Sequence, residues 1–374
     1  MTEAALERLD DPAALTAADP SEMLRAVASG AAQVRASWTA AREASLDPIA
    51  PDERPRAVVV AGMGGSGISG DVLAAVAGAG SPVPIVVHRG YGLPGWVGAA
   101  DLVMAVSCSG TTAETLSGAA EAARRGTRLL GVGTADSPLD AHCRSTGGGF
   151  IPIVKQLSPR SSLWALATPL LVVAARLGIA DIGPDDADLE SAAARLEAIA
   201  EACRLDRESF VNPAKQLATE LSGSLPMFWG AGQVGPVAAL RAACQLEENA
   251  KLPALSGALP EAHHNQVVAF DGALAGGEAD FFRDRVDEPE PLRLRLVVVR
   301  DDTDDVASHR ADVSATLAED RGIAVSTLRA EGDSAVERLA SLVGVIDFAS
   351  VYLGLMHGID PTPIAAIDAL KRAL

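Results

Sequence analysis

The chain lacks the features that mark a secreted or membrane protein. Its four cysteines (Cys108, Cys143, Cys203 and Cys244) form no CxxC pair. The segment from Met1 to Glu7 has neither the basic nor the apolar part of a signal peptide. No run of 18 uninterrupted apolar residues occurs, so no membrane-spanning helix is predicted. We therefore expect a cytoplasmic protein.

Positive charge is also scarce. The chain has 31 Lys and Arg residues against 49 Asp and Glu residues, a net charge of −18. This excess argues against nucleic acid or an anionic membrane surface as a partner, because both are negatively charged. Only four of the basic residues are lysines: Lys155, Lys215, Lys251 and Lys371. A retained lysine is either a chance occurrence on a solvated face or a position that needs a compact ammonium, and both explanations stay open.

What is present is an alternation of apolar runs and helical patterns, which predicts parallel sheets covered by helices on both faces. With 374 residues, 48% of them hydrophobic, the chain is long enough for two domains. The predicted strands of the first alternation are 57–61, 83–87, 102–106, 128–132 and 150–154. Those of the second are 225–229, 266–270, 292–299 and 323–328.

This pattern divides the chain into segments. We predict an N-terminal helical extension (1–50), a first α/β domain (51–180), a helical linker (181–220), a second α/β domain (221–345) and C-terminal helices (346–374). One long helix should run from Asp19-Pro20-Ser21-Glu22 towards Ala44, and others over 345–356 and 363–374. The acidic stretch from Gly276 to Pro291 is expected to be a solvent-facing excursion. Two similar α/β domains suggest one active site between them.

Two loops are the most informative segments of the chain. Each follows an apolar run and opens a helical pattern; they read Gly62-Met63-Gly64-Gly65-Ser66-Gly67 and Ser107-Cys108-Ser109-Gly110-Thr111-Thr112-Ala113-Glu114-Thr115. Such turns expose backbone N–H groups at the positive end of a helix dipole, where phosphate binds. Thr111 and Glu114 have the spacing of a capping box. Since neither loop has a basic side chain, the pattern predicts a small phosphorylated ligand held by hydrogen bonds.

Two other interpretations of the first loop stay open. Gly62, Gly64 and Gly67 fit the dinucleotide fingerprint G-x-G-x-x-G, but the next predicted strand leads into His88-Arg89-Gly90 instead of an acidic residue that holds a ribose. Arg89 could meet the 2′-phosphate of NADP. A tight turn without a ligand explains the glycines, but not the hydroxyls of the second loop.

Glu248 is a candidate for acid–base chemistry. A predicted helix from Pro236 to Lys251 carries an apolar stripe of Val237, Leu240 and Cys244, which Glu248 continues. A carboxylate on an apolar face either finds a partner or has a raised pKa, and a raised pKa makes it a base useful near neutral pH. The alternative is an exposed Glu248–Lys251 pair at i, i+3 spacing. The helix alone does not decide between them.

The polar segment from Leu259 to Gln266 carries two adjacent histidines, His263 and His264. Metal ligands normally show a spacing such as H-x-x-x-H, and none is visible. A solvated pair without a role and a proton-handling histidine beside the candidate base are both compatible with the segment. We predict neither a metal nor a cofactor.

Taken together, these motifs resemble those of the bifunctional phosphoglucose/phosphomannose isomerases, a family with two SIS (sugar isomerase) domains in the phosphoglucose isomerase superfamily. The resemblance begins near residue 55 and extends to the C-terminus. It rests on six motifs in order: Gly64-Gly65-Ser66, the serine loop 107–115, Ser158-Pro159-Arg160, Glu248-Asn249-Ala250-Lys251, Pro260-Glu261 with His264-Asn265, and Lys371 near the C-terminus. Both α/β domains are therefore expected to be SIS domains.

The resemblance also implies roles for individual residues. The 6-phosphate of a hexose would be held by Gly65, Ser66, Ser107, Ser109 and Thr112. Glu248 would move a proton between C1 and C2 through a cis-enediolate, whose charge Arg160 would stabilise. His264 and Lys371 would open the sugar ring. In this family the histidine comes from the neighbouring subunit, which implies a homodimer with shared active sites.

The chain departs from the family pattern at three places. Glu247 stands where asparagine is usual before the catalytic glutamate, and His263 and Gln266 stand where asparagine and glutamate are expected. The function we expect is a metal-independent isomerase of glucose 6-phosphate and mannose 6-phosphate in glycolysis and gluconeogenesis. The alternatives are a non-catalytic SIS module that senses a sugar phosphate, and an isomerase of another phosphosugar.

Overall fold

The computed structural model describes residues 3–45, 49, 54–154, 157–276 and 292–373. The predicted excursion from Gly276 to Pro291 lies outside these residues except for Gly276. The chain divides into two compact units. The first unit comprises Ala28–Glu197 and Gly332–Ala340, and the second comprises Met1–Val27, Ala198–Glu331 and Ser341–Leu374. The domain boundaries expected from the sequence stay a prediction.

Helices and strands alternate through most of the described residues. The helices are α1 (Glu3–Leu9), α2 (Pro12–Ala18), α3 (Met23–Ala28), α4 (Gly30–Glu43), α5 (Gly64–Ala77), α6 (Ala113–Arg124), α7 (Pro138–Thr146), α8 (Leu163–Arg176), α9 (Ala187–Ala202), α10 (Pro213–Leu221), α11 (Gly235–Gln245), α12 (Asp305–Glu319), α13 (Ala335–Met356) and α14 (Ala365–Ala373). The strands are β1 (Val58–Ala61), β2 (Ile85–His88), β3 (Leu102–Ser107), β4 (Arg128–Thr134), β5 (Gly149–Ile153), β6 (Ser224–Ala231), β7 (Leu255–Ala258), β8 (Arg293–Arg300) and β9 (Ala324–Arg329).

The first unit contains a five-stranded sheet in the order β2-β1-β3-β4-β5. All its pairs are parallel; Val58, for example, lies opposite Ile85 on β2 and Leu102 on β3. Helix α8 packs against α4 and α5, and α6 packs against α7. Strands β1 and β3 are buried along their whole length, as expected for apolar strands in a parallel sheet that is covered on both faces.

The second unit contains a four-stranded parallel sheet in the order β7-β6-β8-β9. Its core surrounds Trp229 on β6, which is fully buried, and extends to Leu296 on β8 and Ala311 on α12. Helix α11 contacts β6, β7 and β8. The predicted fold class is therefore confirmed: the chain has two parallel sheets, each flanked by helices.

Two sequence predictions in the second unit are wrong. The segment 266–270, expected to be a strand, is a 3₁₀ helix (Gln266–Asp271), because the Asn265 side chain accepts a hydrogen bond from Gln266 N and caps a helical turn. The partly buried Val267 and the buried Phe270 are three residues apart, which is the 3₁₀ period. The strand β7 was missed because it is a short edge strand, Leu-Ser-Gly-Ala, with little β propensity.

The predicted helix from residue 19 to Ala44 is also divided. The side chain of Asp19 accepts hydrogen bonds from Met23 N and Leu24 N, at 2.8 and 2.9 Å, and so starts α3. The break comes at Ser29, and α4 then begins at Gly30. Because glycine is a weak helix former, Gly30 favours an interruption between α3 and α4 at this point.

One helix among the described residues, α13, is long and apolar enough to cross a membrane. Its most apolar stretch of 18 residues is 94% buried within the protein. Length and composition of this kind also occur in the core helices of soluble proteins. Its place in the core matters for the site, because α13 supports the turn that carries Glu248.

Candidate active site

The first unit has its topological switch point between β1 and β3. The chain runs from β1 to β2 on one side and reaches β3 on the other side. In sheets with this order, ligands bind in the crevice at the carboxyl ends of the two strands. The glycine loop follows β1 and the serine loop follows β3, so both predicted phosphate-binding loops lie at this crevice.

The glycine loop leads directly into α5. Met63 is the N-cap of the helix, and Gly64 has a positive φ of 52° that favours glycine. Gly65 is required for a different reason, because a Cβ atom there would lie 3.0 Å from the carbonyl oxygen of Pro159. The backbone of the Arg160 turn therefore rests on the first turn of α5, where a phosphate would bind.

The serine loop is organised by Ser107. This side chain is fully buried, and its Oγ lies 2.9 Å from Thr112 Oγ1 and accepts a 3.0 Å hydrogen bond from Gly110 N. Ser109 is exposed, and its Oγ lies 2.8 Å from Thr111 Oγ1. The predicted Thr111–Glu114 capping box is wrong, because α6 starts one residue later with Thr112 as its N-cap. This shift directs the Thr112 hydroxyl to Ser107.

Hydrogen bonds connect the two loops. Ser66 is buried, and its Oγ accepts a 3.2 Å hydrogen bond from Cys108 N. From β4, Thr134 Oγ1 donates to Cys108 O at 2.6 Å. The structure thus brings together the predicted residues Ser66, Ser107, Ser109 and Thr112. Thr134 was missed from the sequence, although its place at the carboxyl end of β4 is a signal that could have found it.

Arg160 is held in a buried 3₁₀ turn, Pro159–Ser161, and is only 2% exposed. A capping box formed by Ser158 and Ser161 closes the turn. From α4, Gln33 donates to Ser161 O at 2.7 Å and accepts from Ala165 N at 3.1 Å. Gln33 lies outside the segment in which the sequence resembles the family, so sequence reasoning gave no reason to select it.

Arg89 follows β2 and forms an ion pair with Asp71 of α5. A Cβ atom on Gly67 would come within 2.9 Å of Arg89 Nε, so the guanidinium lies over the first turns of α5. The group that could have met the 2′-phosphate of NADP is therefore already partnered by a carboxylate.

In the second unit, Glu248 lies on a π-helical turn, Leu246–Ala250, that continues α11. Its side chain is partly buried, while Glu247 is exposed. The apolar stripe expected from Val237 to Glu248 is only partly buried at Leu240, Cys244 and Glu248. The π turn inserts extra backbone, so a 3.6-residue period does not extrapolate through it. Such turns occur frequently at functional sites.

Helix α13 supports the π turn through buried polar contacts. Asp347 accepts from Arg241 Nε at 3.0 Å and from Gln245 Nε2 at 2.9 Å. Asn249, next to Glu248, donates to Ser350 Oγ at 2.9 Å. A Cβ atom at Gly354 would lie 2.8 Å from Asn249 O, so the turn and α13 approach each other backbone to backbone. These contacts fix the position of the turn that carries Glu248.

The two adjacent histidines have different surroundings. His263 packs edge-on against Trp229 and lies 2.7 Å from Ser314 Oγ of α12. Burial lowers the pKa of His263, with smaller effects from Arg310 and His264. His264 is exposed. His263 is thus a packing residue, and His264 is the histidine that is available to a ligand.

The segment after His264 is attached to the sheet by Gln266. Its Oε1 accepts a 2.7 Å hydrogen bond from Trp229 Nε1, and its Nε2 donates to Ser256 O of β7 at 2.9 Å. Two of the departures from the family pattern, His263 and Gln266, therefore hold the turn of His264 through the same tryptophan.

Lys371 lies on α14, near the end of the chain, and is exposed. The helix expected over 363–374 is present as α14. Ile367 and Leu370, on the apolar stripe of this helix, are 40% and 61% exposed in the single chain. No residue of α14 is buried, so this stripe is exposed to solvent.

None of the four cysteines, all within the described ranges, takes part in a disulfide, and burial raises the pKa of Cys143 and Cys203 to about 12. Among the described residues, no group of three or more His, Cys, Asp or Glu side chains is placed to hold a metal ion.

Comparisons with known proteins bear on the fold and the family. A family model, "Bacterial phospho-glucose isomerase C-terminal SIS domain", matches residues 210–374. The C-terminal domain of glucosamine-fructose-6-phosphate aminotransferase from Francisella tularensis has a similar fold, with a TM-score of 0.65 and 14% identity over 90% of this chain and 97% of that one.

Two curated relatives match most of the chain. The bifunctional phosphoglucose/phosphomannose isomerase of Caldicellulosiruptor bescii is 31% identical over 85% of this chain and 89% of the relative. That of Aquifex aeolicus is 29% identical over 88% of this chain and 93% of the relative. The chain is a phosphosugar isomerase and belongs to the bifunctional phosphoglucose/phosphomannose isomerase family.

Proposed function

We propose that the protein interconverts glucose 6-phosphate and mannose 6-phosphate with fructose 6-phosphate by proton transfer through a cis-enediolate. The observation that carries this proposal is the pairing of two features in one chain. The first unit has a hydroxyl-rich crevice at its switch point, and the second unit has a glutamate on a π turn braced by a core helix. A protein that only senses a sugar phosphate would need the first feature alone.

The 6-phosphate would be bound by Gly65, Ser66, Ser107, Ser109 and Thr112. Hydroxyl and backbone N–H donors at the start of α5 and α6 suit a phosphate dianion, since both helix dipoles place their positive ends there. Local donors of this kind also let a chain of net charge −18 bind an anion. Binding of the phosphate would fix the sugar without contact to the reacting carbons.

Glu248 would act as the base. In the open-chain aldose it removes the proton from C2, and the electron pair forms the C1–C2 double bond of the enediolate. Return of a proton to C1, with transfer of the hydroxyl proton from O2 to O1, gives the ketose. The guanidinium of Arg160 would stabilise the negative charge that develops on the enediolate oxygens. Because C2 becomes planar, both epimers lead to the same intermediate.

The remaining groups would open the ring and complete the assembly. His264 and Lys371 would move protons at the ring oxygen and the anomeric hydroxyl. We propose a homodimer in which His264 serves the partner's site. The exposure of His264 and of the apolar stripe on α14 supports this arrangement. The chemistry needs no metal or cofactor, because a carboxylate and a guanidinium provide the base and the charge stabilisation. We place the protein in the cytoplasm, in glycolysis and gluconeogenesis.

A coupled assay tests the reaction. Fructose 6-phosphate formed from each epimer is measured separately, before and after prolonged dialysis against EDTA. We expect turnover of both epimers and no loss after dialysis. Binding of both sugars without turnover would indicate a sensing module, and turnover of neither, with turnover of another phosphosugar, would assign a different substrate. Loss of activity that zinc restores would mean that the histidine pair is a metal site.

Mixing two inactive variants tests the shared site. In a heterodimer of His264→Ala and Glu248→Gln chains, one of the two sites would receive both intact residues. Activity should therefore recover in part after subunit exchange. Exchange shown by mass spectrometry without any recovery would mean that each chain builds its own site.

A further inference from the structure

Lys251 follows the π turn of Glu248 and has an unusual backbone. Its φ is +57° and its ψ is +27°, in the left-handed region. At the C-terminal cap of a helix this conformation normally belongs to glycine, or to asparagine, because a Cβ atom is unfavourable there. A lysine at such a position indicates that its side chain is needed.

The ammonium group of Lys251 bonds two backbone carbonyls. Its Nζ donates to Glu248 O at 2.5 Å and to Pro361 O at 3.0 Å. The first carbonyl belongs to the residue proposed as the base. The second belongs to the buried Pro361, in the connection between α13 and α14. One side chain therefore joins the turn of Glu248 to the segment that leads to Lys371.

Backbone hydrogen bonds also close the π turn. Its backbone ends with Lys251 N–H donating to Leu246 O, and Leu252 N donates to the same oxygen at 3.3 Å. The α13 contacts through Asn249 and Gly354 brace the turn from one side. Lys251 holds it from the other, so the turn is fixed between the core helix and the connection before α14.

We infer that Lys251 is a positioning residue, which holds the π turn of Glu248 against the Pro361 segment and so sets the geometry of proton transfer. This inference rests on the proposed role of Glu248. A compact ammonium with three donors suits two converging carbonyls. It also accounts for one of the four lysines in a chain that otherwise uses arginine.

The decisive variant is Lys251→Gly. Glycine removes the ammonium and at the same time fits the left-handed backbone, so a folding defect caused by strain is not expected. We expect kcat for both epimers to fall by about ten- to a hundredfold, the cost of a small displacement of a catalytic group. The KM should change little, because the phosphate-binding residues lie in the other unit. Lys251→Arg, which keeps several donors, should recover most of the lost kcat.

Arg204→Met provides the matched control. It removes one positive charge from an exposed side chain of the same unit, and its kinetics should equal those of the native protein. A Lys251→Gly protein with native kcat, or a Lys251→Arg protein no better than Lys251→Gly, would overturn the inference.

Amide hydrogen exchange separates this inference from the proposed function. Removal of the ammonium should speed exchange at residues 249–252 and leave α11 unchanged, whether or not the protein turns over hexose phosphates. Unchanged exchange at 249–252 would refute the positioning role. Inactivity of the native protein on both epimers would instead refute the proposed function.

Discussion

The two sheets of this protein have the same order over their first four strands, but the loops at their switch points differ in charge. In both sheets the first strand lies between the second and the third: β2-β1-β3-β4 and β7-β6-β8-β9. The loops of the first sheet carry glycines and hydroxyls. The loop after β8 in the second sheet carries Asp301, Asp302 and Asp304, and Asp305 begins α12.

The difference in charge bears on where a phosphate would bind. Asp302 is paired with Arg300 and Arg329, but the loop after β8 still has an excess of carboxylates. Like charges repel, so this crevice disfavours a phosphate dianion. The residues of the second unit that we propose to react, Glu248 and His264, lie on the π turn and on the 3₁₀ segment after β7. Equal topology therefore does not imply equal function, because the side chains at the strand ends determine the chemistry.

The largest effect should come from Glu248→Gln. The amide keeps nearly the same shape but cannot accept a proton, so kcat on both epimers should fall by on the order of 10²–10⁴. Steady-state kinetics measure the fall, and the KM should stay close to the native value. A variant with near-native kcat would show that Glu248 is not the base. The proposed contrast between a binding unit and a reactive unit would then fail.

The next effect concerns the two switch points directly. Ser107→Ala removes the hydroxyl that organises the serine loop, and the KM for hexose 6-phosphate should rise by about tenfold or more, as for loss of hydrogen bonds to a charged group. Ser109→Ala should raise the KM less. Thr303→Ala, in the equivalent loop of the second sheet, is the control and should leave the KM unchanged. A similar rise in KM for Thr303→Ala would show that the acidic loop also contacts the phosphate.

A smaller effect is expected at the end of the chain. Lys371→Ala should slow turnover by roughly tenfold, the low end of the contribution of a positioned proton-transfer group. Arg372→Ala changes the charge equally one position along and should have almost no effect. Both rates come from the same coupled assay. If the two variants behave alike, Lys371 is an ordinary charge near a helix end, complementing the dipole.

The smallest effect is a difference in acid sensitivity. Burial lowers the pKa of His263 and of His357, both in the second unit, below the ordinary value of 6.5. Above pH 6.5 each is neutral whether the chain is folded or unfolded. Below it the unfolded chain binds protons that the folded chain binds only at lower pH, so stability falls as the pH drops.

Thermal unfolding at pH 7 and pH 5.5 measures this loss. The melting temperature of His263→Gln should fall less between these two pH values than that of the native protein, because one proton-binding difference is gone. An equal fall in both proteins would mean that His263 does not contribute to the acid sensitivity.

The sequence predicted the parallel sheets, and it located the two loops that we propose to bind phosphate, because both depend on local patterns. Apolar runs such as Val58–Ala61 and Leu102–Ser107 form buried strands, and the glycines and hydroxyls that follow them are adjacent in the chain. The prediction of a strand over 266–270 was wrong because Asn265 caps a 3₁₀ turn there. In addition, Phe270 stacks on Trp229 with ring centroids 5.1 Å apart, and the sequence does not reveal such a long-range contact.

By itself, the sequence determined the fold class, the family and the residues that the resemblance selects. These follow from periodicity and from motifs whose members lie within a few residues of one another. Only the tertiary structure decided how those residues are held: Gln33 supports the Arg160 turn across 128 positions of sequence, and Asn249 reaches Ser350 across 101. Packing determines the hydrogen bonds between distant segments and the π turn that shifts the register of Glu248. No periodic pattern in the sequence indicates this packing.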